Sequence, residues 1–532
     1  MNWPELNPEQ IPAILRVLHG VFLGLLAWIL FRSWRVGRKT KQPGKKTGHA
    51  AYSLTLMVIL GLLAAVFVYQ ATWQLTGFAR PQFVSFMQTY NRRPYNPAEN
   101  LHLGAILDRN GLPLAYTAPA ADNRRVYPLG PAAAQVVGYA HPRFGRAGIE
   151  STEQAVLNGS AMSTGDARKQ FGRNVLDRSA IHGGDVRTTL DARLQQAAFD
   201  ALKGRKGSVV MLDPSTGQVL ALVSSPSFDP NDLSPATFNE RLQHDSPLLN
   251  RALMGLYPPG SIVKPLMAAL ALDQKQSPVF DCPGEGITAG SGNQPIRDSQ
   301  YYAYKRQGRV WPGHGRIGLR EAVVKSSNVY FAQLGMLLGP DVLNQAALEW
   351  RIGQRWILRK SSVGAPLQTV AGNFPALKSG QLAKIAQVSF GQGELLVTPF
   401  HMAMAMSALA GKGVCWEPSL LMDEPARPLN PWFGADSANA VIGMMRDVVR
   451  SGTATAADVP GLSVAGKTGT AQNPSGKDHS WFVCMAPAEQ ARIVLVVLVE
   501  EGGYGSQAAL PVAVSLLKLA KNLGYFRSAG GG

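Results

Sequence analysis

Three short stretches occur in one order and limit how this 532-residue chain can fold: Ser261-Ile262-Val263-Lys264, Ser326-Ser327-Asn328 and Lys467-Thr468-Gly469-Thr470. A Ser-x-x-Lys tetrad arises by chance roughly twice in a chain of this length, but a Lys-Thr-Gly triplet only on the order of 0.1 times. Their chemistries are complementary. A serine can attack, a lysine can take its proton, a hydroxyl with an amide can relay and position, and a cationic strand edge can hold an anion. The division of labour works only if the fold brings these distant pieces into one cleft.

Local signals say how each piece is presented. Pro258-Pro259-Gly260 precedes Ser261, and Pro265 follows Lys264. Proline is tolerated in a first helical turn and breaks a helix already under way, so Ser261 belongs to a helix start. Ser261 and Lys264 then share one face, a turn apart. Burial and the second lysine, Lys467, would lower the Lys264 pKa toward that of a base. The helix N-terminus would offer N–H groups to an oxyanion. Ser326 and Asn328 precede the apolar run 329–338, where both could face a cleft; alone, the triplet reads first as a helix N-cap, which Ser and Asn favour. Lys467, Thr468 and Thr470 alternate like an edge strand suited to clasping a carboxylate, and Gly469 would let a ligand backbone lie close.

Hydrophobic residues make up 46% of the chain and charged residues 16%, which excludes a disordered or wholly membrane-embedded protein. The net charge of +17 is concentrated. Arg32, Arg35, Arg38, Lys39, Lys41, Lys45 and Lys46 crowd one acid-free loop between two apolar segments, 13–31 and 51–73. The positive-inside rule places that loop in the cytoplasm and makes the flanks a transmembrane hairpin, rather than marking a nucleic-acid site. Arg16 and His19 leave a second arrangement open, a single span at 51–73 with an interfacial first helix. In either, everything after Trp73 lies outside, where chemistry cannot depend on ATP. Cys282, Cys415 and Cys484 give no disulfide framework, and neither a metal-ligand spacing nor a phosphate loop is present, so no metal or cofactor is expected.

The pattern divides the chain into a short non-cytoplasmic N-terminus (1–12), a first span (13–31), a cytoplasmic loop (32–50), a second span (51–75), an Arg-rich pedestal (76–185), a catalytic domain (186–525) and a flexible tail (526–532). In the pedestal, Asn110-Gly111 marks a hairpin over 105–115. In the catalytic domain, strands are expected at 207–212, 218–223, 480–485 and 491–500, with helices at 192–203 and 511–522. Strands at both ends enclosing a helical middle imply one α+β unit, with the sheet built from sequence-distant pieces.

These residues and their surroundings resemble class B penicillin-binding proteins. The three motifs agree with the signature of serine acyl-transferring enzymes that recognise β-lactams. Thr188-Thr189-Leu190-Asp191, Pro226-Ser227-Phe228-Asp229-Pro230-Asn231, Leu249-Asn250-Arg251-Ala252, Gly391-Gln392-Gly393 with Thr398-Pro399, Ser451-Gly452-Thr453-Ala454 and His479-Ser480-Trp481-Phe482 match further family stretches. Arg125-Val126-Tyr127-Pro128 and Gly148-Ile149-Glu150 resemble the family's pedestal. The resemblance spans roughly 104–525. It implies a serine transpeptidase/β-lactamase-like domain, α+β with an antiparallel sheet flanked by helices, on a smaller, mostly β pedestal.

By that resemblance, Ser261 attacks the penultimate D-Ala of a peptidoglycan stem peptide, Lys264 is the base, and Ser326 and Asn328 assist. Lys467, Thr468, Gly469 and Thr470 form the substrate edge, and the N–H groups of Ser261 and Thr470 the oxyanion hole. An amine resolves the acyl-enzyme into a cross-link, and β-lactams trap Ser261. The expected setting is the bacterial cytoplasmic membrane, with the catalytic domain outside. The expected partner is a multispanning membrane glycosyltransferase. Two departures stand out: two apolar segments where the family usually has one, and Leu103-Gly104 in place of its Arg-Gly. Rival readings are a β-lactamase or β-lactam sensor on the same fold, a D,D-carboxypeptidase, and a non-catalytic activator of a glycosyltransferase.

Overall fold

The computed structural model describes residues 28, 57–59, 61–69, 101–118, 124–159, 181–239, 245–290, 294–361, 364–473 and 476–527. The chain divides into two compact units, one of residues 1–94 with 162–169, the other of 95–161 with 170–532. In the first, Trp28, 57–59 and 61–69 are helical and expose apolar side chains, among them Met57, Leu63 and Phe67. Among the described residues no helix is long and apolar enough to cross a membrane. The expected spans and the basic loop otherwise lie outside the described residues.

The second unit opens on the expected hairpin, β1 (Ile106–Leu107) and β2 (Pro113–Ala118). The Asp108 carboxylate organises its turn by accepting from the N–H groups of Asn110 (2.7 Å) and Leu112 (2.8 Å). Gly111 supplies the left-handed φ of 89° that the turn needs. Strand β3 (Arg124–Val126) pairs with β2, and helix α1 (Pro131–Val137) follows. Strand β4 (Val186–Arg187) returns parallel to β1, giving the order β3-β2-β1-β4. The Arg125–Glu150 pair (2.6 Å) is buried beneath. Arg125 also donates to the Gly104 carbonyl (2.8 Å), and a Cβ at 104 would meet the Gly184 carbonyl at 1.9 Å. The Gly of the family's Arg-Gly pair is thus required here. Residue 103 contributes its carbonyl, to Thr117, which a leucine supplies as well as an arginine.

After Asp191, which N-caps through its side chain, come helix α2 (Ala192–Leu202) and strands β5 (Gly207–Leu212) and β6 (Val219–Ser225). A 3₁₀ turn, Gly260–Val263, leads into α3 (Lys264–Asp273). A smaller lobe follows: β7 (Phe280–Pro283), α4 (Ser299–Arg306) and β8 (Gly313–Ile317), with β7 and β8 paired. Helices α5 (Leu319–Lys325), α6 (Asn328–Glu349), α7 (Leu382–Ser389), α8 (Pro399–Ala410) and α9 (Ala435–Ser451) form the middle. Helix α6 breaks at Gly339 (φ 79°) ahead of Pro340, where the apolar run 329–338 ends. The chain closes with β9 (Ala465–Ala471), β10 (His479–Ala486), β11 (Ile493–Val499) and α10 (Ala509–Asn522).

The five-stranded sheet is antiparallel throughout, in the order β6-β5-β11-β10-β9. β11 reads Ile-Val-Leu-Val-Val-Leu-Val and is buried along its whole length. A continuous apolar run, rather than an alternating one, marks a strand covered on both faces. Helix α2 packs on α10 and α8 on α9, and β11 touches a member of each pair, so the pairs cover opposite faces. β9, carrying Lys467 to Thr470, is left at the edge. The backbone of β9 is therefore open to pairing along one side, where a substrate chain can lie.

Candidate active site

The nucleophile is positioned by backbone more than by side chains. Gly260 has a φ of 55°, and its N–H donates to the Gly391 carbonyl (2.8 Å). A Cβ at 260 would lie 2.6 Å from the Thr470 carbonyl, and one at 391 would lie 2.0 Å from the Gly260 carbonyl. Two glycines thus let the turn of Ser261 press between β9 and the 391–393 loop. Gly469 belongs to the same contact: a Cβ there would meet Ile262 Cγ2 at 2.8 Å. In this structure the close approach to Gly469 is made by the nucleophile's own turn. Trp481 Nε1 donates to the Pro258 carbonyl (3.1 Å), and Tyr257 O–H donates to Glu500 (2.6 Å), which also pairs with Arg251 (2.8 Å).

Lys264 is wholly buried. Its Nζ lies 2.6 Å from the Ser326 carbonyl, 2.8 Å from Asn328 Oδ1 and 3.4 Å from Ser326 Oγ. Burial first, and the charge of Lys467 second, hold its pKa far below that of a free lysine. A neutral amine has two hydrogens and one lone pair. The Ser326 carbonyl and Asn328 Oδ1 accept the two hydrogens, so the lone pair stays available as a base.

Lys467 is also wholly buried, and burial lowers its pKa to about 7. It donates to Ser326 Oγ (2.8 Å) and to the Thr468 carbonyl (3.0 Å). Ser326 Oγ therefore stands between the two amines, and a proton can pass between them through one hydroxyl. Thr468 and Thr453 hydroxyls are 2.6 Å apart, which fixes Thr468 on the strand. Thr470 is half-buried.

The capping expectation for the middle motif shifts by one residue. Ser327, between the two predicted site residues, is the N-cap of α6, accepting from the Tyr330 N–H (3.1 Å). Ser326 ends α5 in the left-handed region (φ 60°), and Asn328 opens α6. The kink between the helices turns Ser326 and Asn328 together onto Lys264.

Sequence reasoning missed Asp298. It occupies the N-cap position of α4 but makes no side-chain bond to that helix. Its carboxylate serves α6 instead: Oδ1 accepts from the N–H groups of Asn328 (2.5 Å) and Val329 (3.2 Å), and Oδ2 from Ser327 O–H (3.1 Å). His314 Nε2 lies 3.6 Å from Oδ2, its pKa lowered chiefly by burial. A carboxylate at a helix N-terminus is stabilised by the helix dipole, and here it locks the residue that holds Lys264. An acid just before a helix was the available signal, but its target is a different helix.

All eight predicted site residues thus lie on the 260–264 turn, the 326–328 kink and the edge strand, with contacts linking the three. A family model of the penicillin binding protein transpeptidase domain matches residues 207–518, and one of the penicillin binding protein A dimerisation domain matches 104–178. The peptidoglycan D,D-transpeptidase PbpA of Mycobacterium tuberculosis is 31% identical over 455 residues, covering 76% of this chain and 87% of that protein. The peptidoglycan D,D-transpeptidase MrdA of Acinetobacter baumannii is 31% identical over 408 residues, covering 69% of this chain and 59% of that one.

Among solved structures, the ceftriaxone acyl-enzyme complex of penicillin-binding protein A from M. tuberculosis superposes with a TM-score of 0.68 at 29% identity, covering 79% of this chain and 99% of that one. The D,D-transpeptidase domain of a peptidoglycan glycosyltransferase from Eggerthella lenta gives 0.65 at 30% identity, covering 80% and 99%. This chain belongs to the penicillin-binding protein transpeptidase family, in its class B, monofunctional branch.

Proposed function

We propose that this protein cross-links peptidoglycan stem peptides as a D,D-transpeptidase through an acyl-enzyme on Ser261, and that β-lactams inhibit it by occupying the same serine. The observation that carries the reading is the setting of Lys264: wholly buried, held by the Ser326 carbonyl and Asn328 Oδ1, with burial and the Lys467 charge lowering its pKa well below that of a free lysine. Ser261 Oγ attacks the carbonyl of the penultimate D-Ala, and Lys264 takes its proton. The proton passes through Ser326 to the departing D-Ala amine, which breaks the peptide bond. The two lysine contacts of Ser326 support that path. An incoming amine then attacks the ester, and the proton returns to Ser261 by the same relay.

Thr468 and Thr470 take the substrate's terminal carboxylate. Lys467, wholly buried, acts from behind the strand rather than by touching the carboxylate, through the charge that it keeps with a pKa of about 7. Asn328 holds both Lys264 and the substrate amide. The 76–185 segment acts as the pedestal and 186–525 as the catalytic domain. The two apolar segments around the basic loop form a membrane hairpin that keeps the cleft outside and serves pairing with a membrane glycosyltransferase.

Incubation of the full chain with a stem peptide ending in D-Ala-D-Ala and an acceptor amine tests the reading. Mass spectrometry is expected to find the cross-linked product with loss of one D-Ala, absent in Ser261→Ala. Hydrolysed donor alone, at saturating acceptor, would instead identify a carboxypeptidase.

A further inference from the structure

At the end of the sheet opposite Thr470 lies a cavity of about 160 Å³ lined by Arg109, Asp213, Leu220, Arg492, Tyr525 and Arg527. Arg109 comes from the β1–β2 hairpin. Asp213 and Leu220 come from the β5–β6 hairpin, Arg492 from the turn before β11, and Tyr525 and Arg527 from the turn after α10. The pairings Val494 with Leu212 and Val499 with Gly207 place it a full strand, about 20 Å, from the row that carries Thr470.

Its electrostatics are out of balance. Among the described residues none of the three arginines makes an ion pair. Arg109 Nη1 is buried with no hydrogen-bond partner, and Nη2 reaches Gln218 only at 3.4 Å. The nearby carboxylates are committed elsewhere. Asp108 accepts from Asn110, Leu112 and Ala192, Asp191 from Arg193 and Tyr525, and Asp213 from Ser215. Three arginines and one aspartate line the cavity, a formal charge of about +2, with Arg492 and Arg527 exposed to solvent. An oxyanion in the cavity would meet arginine charge that no carboxylate pairs.

We infer that this cavity is a binding site for a phosphate group, separate from the catalytic cleft. A phosphate monoester carries about −1.5 to −2 at neutral pH and matches the site's charge better than a carboxylate does. Arginine forks suit its oxygens. The volume falls below the roughly 300–1,000 Å³ of pockets that enclose a drug-sized molecule, so one anionic group enters, not a whole nucleotide or glycan. A bound phosphate would tie the β1–β2 hairpin to the end of the catalytic sheet.

Thermal unfolding of the full chain, titrated with inorganic phosphate at constant ionic strength and with acetate as the control anion, tests this. The wild type is expected to be stabilised saturably by phosphate and not by acetate. Arg109→Gln and, separately, Arg527→Gln are expected to weaken the effect about tenfold or more. Arg527 is exposed and far from Ser261, so its variant keeps penicillin labelling as a check on folding. Competition by glycerol 3-phosphate would identify an ester on a larger molecule as the occupant; a response to inorganic phosphate alone would identify the free ion. Equal stabilisation of wild type and both variants, equal response to acetate, or no response at all would overturn the inference.

Discussion

Two buried lysines with one serine between them set the chemistry of this cleft. Lys467 lowers the Lys264 pKa by its charge, in addition to burial. Replacing Lys467 by alanine should therefore raise the Lys264 pKa and move the acid limb of β-lactam acylation to higher pH. Stopped-flow acylation rates across pH read that limb directly, and an unmoved limb would contradict the coupling. The same burial makes a stability prediction. Lys467 titrates near 7 in the folded state and near 10.5 unfolded, so between these values the unfolded chain binds more protons. Its contribution is a penalty that is full below about pH 7 and relieved as pH rises toward 10.5. Denaturant unfolding of Lys467→Met should show a flatter rise of stability across that window. Asp298→Asn leaves the shape but weakens the charge-assisted bonds to the α6 N-terminus, at about 1.5–3 kcal/mol, and slows acylation by loosening Asn328. The proposed site residues could be singled out in the sequence because their identities suit one chemistry, and the structure brings their three motifs into contact. Asp298 was not, because its partners lie some thirty positions away and no spacing encodes that contact.

At the scale of elements, the backbone shapes the nucleophile's turn. Gly260→Ala introduces a Cβ in the left-handed region and against the Thr470 carbonyl, so it should displace Ser261 and depress acylation well beyond its effect on melting temperature. Ser327→Ala removes the α6 cap and should cost about 1 kcal/mol in denaturant unfolding. The strands at 207–212, 480–485 and 491–500 were readable as apolar runs, within a residue or two of their observed bounds. The Pro-Gly and Lys-Pro punctuation placed Ser261 at a helix start, though the start is a 3₁₀ turn. The role of Gly469 was harder to read, because a glycine in an edge strand signals close approach without saying by what. The 326–328 kink was hidden for a related reason. Ser and Asn favour caps, and which of three polar residues caps is decided by tertiary contact with Asp298.

For the whole molecule, the sheet is assembled from strands at both ends of the catalytic segment, and the preceding segment packs on it through α1 against β6 and α2, through hydrogen bonds such as Gln195 Nε2 to the Ala132 carbonyl (2.7 Å), and through Arg359. Arg359 joins Glu153 of the pedestal to Glu424, with Nη2 2.9 Å from Glu153 Oε2. Arg359→Ala strands a buried Glu153 carboxylate and should cost about 2 kcal/mol, discounted for the partial exposure of the arginine, while leaving the acylation rate constant unchanged. The antiparallel order of the sheet followed from no local pattern; the family resemblance and the ends-and-middle arrangement of apolar runs carried it. The measurement that bears most directly on the account is intact-protein and peptide mass spectrometry after brief exposure to penicillin, followed over hours. The account predicts one covalent adduct on the peptide containing Ser261, lost in Ser261→Ala and persisting through the chase. A folded protein that stays unlabelled, carries the adduct elsewhere, or sheds it within seconds would contradict it.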